Sequence, residues 1–252
     1  MYNIVISLLL AIITFVTVSL LMSPIAAIFP AILVLGLALF LLTRRVSKKM
    51  EAEMAKLLPM IQGRRLKEAV EHIEDLKRRY GRWQVLLAKQ LDAQLGMLQY
   101  LQMKWDPALP LLEKGRWRNW TAQVAIGCIH YRKGRKNEAW KSFTEAAGSG
   151  RKELIIYLVW ATLLTRAAMR SEAMEVVNNG LVALPDNELL KKLKNNIANK
   201  RKIKVKQFPE SWYQFFPEDY ATQHVMRGRK GALPAHMQMQ QPKMRGSTFR
   251  KH

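Results

Sequence analysis

From Ile4 to Leu42 the sequence carries no charged side chain, and the first Lys, Arg, Asp or Glu of the chain is Arg44. The run is broken only by Ser7, Thr14, Thr17, Ser19 and the pair Ser23-Pro24, with Pro30 and Gly36 further on. Hydrocarbon offers no partner to backbone N–H and C=O groups, so such a run must be helical if it enters a bilayer. About 20 residues cross the hydrocarbon core, and this run is far longer than one span needs. Two spans, Ile4 to Met22 and about Ile25 to Leu42, fit it, with the turn at Ser23-Pro24 where proline removes a donor. A cleaved secretory signal is the competing reading. Against it, the start MYNIVIS has no basic residue and the apolar run exceeds a signal's central region. Arg44, Arg45, Lys48 and Lys49 lie directly beyond the second span. By the positive-inside rule that end is cytoplasmic, and an even number of spans puts the N-terminus there too. The expected location is a bacterial inner membrane, with the rest of the chain in the cytosol.

The formal net charge of +22 belongs entirely to the chain beyond this hairpin. Such a surface favours anionic neighbours, whether phospholipid headgroups, nucleic acid or acidic proteins, without choosing among them. Cys128 is the single cysteine, which excludes an intramolecular disulfide.

Between Ala122 and Ala147 the sequence AQVAIGCIHYRKGRKNEAWKSFTEAA reads as two amphipathic helices joined at Lys133-Gly134-Arg135. Gly134 supplies the left-handed conformation that ends the first helix, and Asn137 is a candidate cap for the second. Ala139, Trp140, Phe143, Ala146 and Ala147 then recur at helical spacing. A step of 34 residues from Ala139 lands on Ala173 (173 − 139). The same step sets Val177 in the place of Phe143, Gly180 in that of Ala146 and Ala161 in that of Gly127, and Pro185 closes the unit. Upstream, Gly96 and Ala108 keep the separation of Gly127 and Ala139, and a weaker copy lies around Ala69 and Ile73. A helix pair every 34 residues is the tetratricopeptide period.

On Gly127, Gly134, Ala139, Phe143 and Ala146 the chain resembles the tetratricopeptide repeat family, over roughly Met50 to Lys200. The second unit departs from the pattern, with Ala168 where the turn glycine stands in the first. The resemblance implies an all-α fold, a short α-solenoid after the transmembrane hairpin, and a binding mode rather than a reaction. First helices of successive units would line a groove through Ala93, Met97 and Tyr100, then Val124, Cys128, Tyr131 and Arg132, then Leu158, Thr162, Thr165 and Arg166. That set lacks the Lys/Asn grip on a terminal carboxylate used by chaperone-binding members. Arg132 and Arg166, at equivalent places, could instead hold acidic groups of a partner.

The expected organisation is a hairpin over 1–43, juxtamembrane helices over 44–82, repeats with a capping helix over 83–200, and an aromatic segment with a basic tail over 201–252. Val46 to Gln62 reads as a helix leaving the membrane, Arg64 to Arg79 as an amphipathic helix and Trp83 to Lys104 as a long one. Asp106-Pro107 opens the next, with Asp as cap and Pro in the first turn. The run KGRWRNW interleaves Trp117 and Trp120 with Arg116 and Arg118; packing is the expected role of both tryptophans, over stacking on bases or sitting near headgroups. Asp186 to Lys200 reads as a final helix, Leu189, Leu190, Leu193 and Ile197 inward and Lys191, Lys192 and Lys194 outward, as the end of a solenoid requires. Trp212, Tyr213, Phe215 and Phe216 between Pro209 and Pro217 should dock on the repeats, the membrane interface or a partner. The stretch 221–252, without acidic residues, is expected to be disordered.

Neither a phosphate-binding glycine loop, nor an HExxH, nor Cys or His at metal spacing occurs. Cys128 and His130 lie two apart and so on different faces of a helix. Glu71, Glu74 and Asp75 have basic neighbours and read as a solvated surface. No catalytic, cofactor or metal site is expected. The leading expectation is a membrane-anchored scaffold that binds or assembles a protein partner at the cytoplasmic face. The alternatives are a basic surface protein binding anionic lipid or, less favoured, nucleic acid, and an auxiliary subunit of a membrane enzyme or secretion complex.

Overall fold

The computed structural model describes residues 1–62, 65–83 and 86–219. Among the described residues it is all-helical, with eleven α-helices, two short 3-10 turns and no strand. Helices α1 (Tyr2–Leu21) and α2 (Pro24–Ala55) form the hairpin, and both are long and apolar enough to cross a membrane. Ser23 is extended at φ −145°, its hydroxyl accepts from the Ala26 amide at 3.3 Å, and Pro24 occupies the first helical position. The turn is thus built as proline and a capping serine dictate. The hydroxyls of Thr14, Thr17 and Ser19 donate to the carbonyls of Leu10, Ile13 and Val16 at 2.8, 3.0 and 2.9 Å, so these breaks in the apolar run are satisfied within α1. Asn3, Ser7 and Ala11, four residues apart, form its buried stripe, while Leu, Ile, Val and Phe side chains cover the exposed faces.

The second helix departs from expectation by not ending where its apolar half ends. It runs on through Arg44, Arg45, Lys48 and Lys49 to Ala55, because the stretch from Thr43 holds good helix formers and no Gly or Pro. Val46 and Met50 on this polar half are buried in one core with Leu57, Ala69, Ile73, Leu76, Leu87, Leu91, Leu95 and Leu98. That core joins α2 to α3 (Leu57–Gln62), α4 (Leu66–Tyr80) and α5 (Leu87–Leu101). The start of α1 is tied to the same body. The amides of Tyr2 and Asn3 donate to the carbonyls of Arg82 and Trp83 at 3.1 and 3.4 Å, and the Tyr2 and Trp83 rings meet edge to face at 5.7 Å.

Beyond α5 come α6 (Trp105–Lys114), α7 (Trp120–Arg132), α8 (Lys136–Ser149), α9 (Leu154–Arg166), α10 (Arg170–Ala183) and α11 (Glu188–Ala198). The chain divides into two compact units, Met1–Tyr100 with Lys104–Arg151, and Leu101–Met103 with the part from Lys152 onward. Within each unit the helices pack in pairs through small residues. A Cβ on Gly96 would fall 2.8 Å from Leu112 Cγ, one on Gly127 2.8 Å from the Phe143 ring, and one on Gly180 2.9 Å from the Tyr157 ring. Phe143, Ala146, Ala161, Ala173 and Val177 are all fully buried. In the second unit α11 covers the last pair, burying Leu190, Leu193 and Ile197 and exposing Lys191, Lys192 and Lys194 as expected, while Leu189, expected inward, is only half-buried.

A common device ends four of these helices. Met103, Gly134, Ala168 and Lys200 have φ of 60°, 74°, 64° and 52°, and the amide that follows each bonds back to Gln99, His130, Leu164 and Asn196 at 2.8–3.0 Å. This is the terminal motif in which a left-handed residue satisfies carbonyls of the last turn. Two expected caps are corrected. The second helix of the central pair is capped at Arg135 rather than Asn137. Asp106 lies inside the first turn of α6, where it accepts from Lys133 at 2.5 Å, because the left-handed Met103 lets the helix start at Trp105. The basic tail expected to be disordered lies outside the described residues.

The left-handed ends make opposite predictions at equivalent positions. A Cβ on Gly134 would meet nothing within 4 Å, so Gly134→Ala adds only backbone strain. It should cost about 1–2 kcal/mol, and Ala168→Gly should recover part of a similar strain. Urea denaturation of the two variants checks this, and a shift of the same sign in both would contradict it.

Candidate functional site

The eleven residues expected to line a groove fall into two groups. Ala93, Tyr100, Val124, Cys128, Leu158 and Thr162 are at most 2% exposed and serve as packing. Met97, Tyr131, Arg132 and Thr165 are half-buried and Arg166 is exposed. The buried group follows from the surroundings of α7 and α9, in which residues 122–130 and nearly all of 155–164 are covered. Helical spacing selects a face; it does not say whether a neighbour covers that face.

Both equivalent arginines are held by aromatic rings of their own unit. In the first unit Arg132 Nη1 donates to the Tyr100 hydroxyl at 2.7 Å, and its guanidinium lies 4.6 Å from the Trp105 ring centre and 5.6 Å from that of Tyr100. Tyr100 and Trp105 meet edge to face at 4.7 Å, so one cation binds α5, α6 and α7 together. In the second unit Arg166 lies 5.4 Å from the Phe216 ring, which stacks on Trp212 at 4.3 Å. Trp212, Phe215 and Phe216 are buried, and Trp212 Nε1 donates to Asp219 at 3.0 Å. The aromatic segment thus docks on α9, one of the three places open to it.

An accessible concavity lies elsewhere in the first unit. A cleft of about 860 Å³ between α4, α5 and α6 has Val70, Ala88, Leu95 and Leu111 among its lining. Glu74, Lys77, Arg78, Arg82 and Asp92 supply its charge. Lys77 Nζ donates to Asp92 at 2.6 Å across the two helices, and the Asp92 side chain is only 7% exposed. Arg78 lies 3.8 Å from Asp75, and Arg79 pairs with the same carboxylate. The signal for this cleft was an aspartate set among Leu87, Leu91 and Leu95, where a buried carboxylate requires a cation.

The basic-aromatic run is split. Arg116 pairs with Glu145, Trp120 is half-buried at the start of α7, and Asn119 caps that helix through the Ala122 amide at 3.2 Å. Trp117 is 59% exposed, which corrects the expectation that it packs. Arg118, at φ 51°, turns the loop so that its guanidinium sits 5.5 Å from the Trp117 ring.

His130 is buried on α7, and burial, reinforced by Arg135, pushes its pKa below the ordinary imidazole value. Among the described residues no three His, Cys, Asp or Glu side chains gather at metal-binding distance. No protein-family model matches the chain, and no curated protein matches it significantly.

The arrangement around Arg132 gives a direct prediction. Arg132→Ala removes the donor to a fully buried hydroxyl and the cation over two rings, and should destabilise the chain by about 1–3 kcal/mol. Arg132→Lys should recover little of this, since an ammonium lacks the planar fork. Full stability of Arg132→Ala in thermal or urea unfolding would return Arg132 to the role of a free surface cation.

Proposed function

We propose that this chain is a non-enzymatic, membrane-anchored scaffold of tetratricopeptide-like helix pairs that holds a protein partner at the cytoplasmic face of a bacterial inner membrane. The observation that carries the proposal is the continuity of α2, whose apolar half is exposed along the hairpin while its basic half buries Val46 and Met50 in the core of the first unit. A rigid helix of 32 residues is about 48 Å long, which exceeds the roughly 30 Å of a hydrocarbon core. It therefore carries the core of the first unit at the polar margin of the bilayer. Arg44, Arg45, Lys48 and Lys49 are all exposed at the boundary, which supports the cytoplasmic assignment of that side.

The cleft between α4, α5 and α6 is the favoured seat of the partner, because the arginines first considered already hold aromatic rings. Its apolar lining suits one face of a helix or extended segment, and Arg78 and Arg82 at its edge suit acidic side chains on that segment. A photo-crosslinking residue placed at Gln99, in the full chain and in native membranes, tests this. Capture of a defined protein that falls about tenfold in an Arg78→Glu/Arg82→Glu variant supports the cleft, a loss that two exposed charge contacts can produce. Capture unchanged by the double reversal removes it.

A further inference from the structure

The exposed Trp117 has a setting that packing does not explain. Among the described residues, Trp117 and Val182 are the large apolar side chains left exposed beyond the hairpin. Trp117 borders a pocket of about 280 Å³ shared with Leu86, Lys89, Arg118 and Trp120, and no carboxylate is among its lining. Lys89 is exposed, and Arg116, which could have competed, is turned away to Glu145. The loop is held in place by Gly115, where any side chain would collide with the Lys89 carbonyl.

The position of the pocket names its occupant. Leu86 follows Trp83 by three residues, and Trp83 packs on Tyr2 at the first turn of α1 and accepts the Asn3 amide. If the hairpin crosses a bilayer, that end of α1 lies at the polar margin, where tryptophan is favoured and lysine and arginine reach headgroups on long stems. Resting on the membrane-anchor reading, we infer that Lys89, Trp117 and Arg118 form a seat for an anionic phospholipid of the same bilayer. The two cations take the headgroup phosphate, and the indole lies among the headgroups.

The test uses the full chain in vesicles of phosphatidylcholine in which roughly one lipid in three is phosphatidylglycerol, enough to give an anionic surface. Benzoylphenylalanine replaces Trp117, keeping an aromatic body, and in a second sample replaces Leu33, midway along the apolar half of α2. The expected result is a ratio of phosphatidylglycerol to phosphatidylcholine captured by the probe at 117 that is about fivefold above their ratio in the vesicle, lost in a Lys89→Glu/Arg118→Glu variant. Capture of both lipids in proportion to their abundance, capture indifferent to the double reversal, or no lipid capture at 117 would each overturn the inference. The probe at 33 reports on the anchor alone. If it captures no lipid, the membrane reading fails, while enrichment at 117 still decides whether the seat binds the anionic lipid.

Discussion

The rest of the molecule depends on an uncharged run long and apolar enough to cross a membrane twice, where a backbone amide would have no solvent to bond to. That run forms α1 and α2, breaks only at Ser23-Pro24, and turns the hydroxyls of Thr14, Thr17 and Ser19 back onto their own helix. The apolar run ends at Leu42, yet the helix does not. Beyond that point continuity rests on burial of Val46 and Met50, each contributing about 1.5–3 kcal/mol in the upper-bound sense of transferred area. One helix therefore runs from an exposed apolar surface into a buried core, and the hairpin is a structural part of the first unit rather than a tether to it.

The helix pairs repeat a physical solution more faithfully than a sequence. Leu112 against Gly96 and Phe143 against Gly127 are the same interlock of a large side chain into a glycine on the preceding helix. The left-handed ends at Met103, Gly134, Ala168 and Lys200 repeat just as regularly, although one of the four is glycine. The two arginines at equivalent positions both stack on rings, Trp105 in one unit and Phe216 in the other, through partners from unrelated parts of the chain. What recurs is a backbone path and a packing geometry, which several residue types can meet.

The all-α class, the hairpin, its turn and the capping helix were legible because each rests on local chemistry: an uncharged run, a Ser-Pro pair, a lysine-faced amphipathic pattern. The glycine at 134 announced its own conformation. Ala168 and Met103 did not, since an alanine or methionine in the left-handed region is imposed by the fold around it. The length of α2 was legible only as the absence of any breaker between Thr43 and Ala55, and a charge boundary drew attention to the wrong feature. The groove was least legible. Spacing grouped Val124 with Cys128 and Leu158 with Thr162, but their burial depends on long-range neighbours that periodicity does not register. The cleft, with Lys77 bonded to Asp92, and the exposed Trp117 both arise from helices meeting across distant sequence.

The unbroken passage of α2 from apolar surface to buried core is most directly measured by hydrogen exchange on the full chain reconstituted in vesicles. Amides from Thr43 to Met50 should be protected to the same order as those of Ala69 to Leu76, with which Val46 and Met50 share a core. Exchange of the 43–50 amides at the rate of an open chain, with 69–76 still protected, would show a flexible joint at the membrane boundary and contradict the rigid mount.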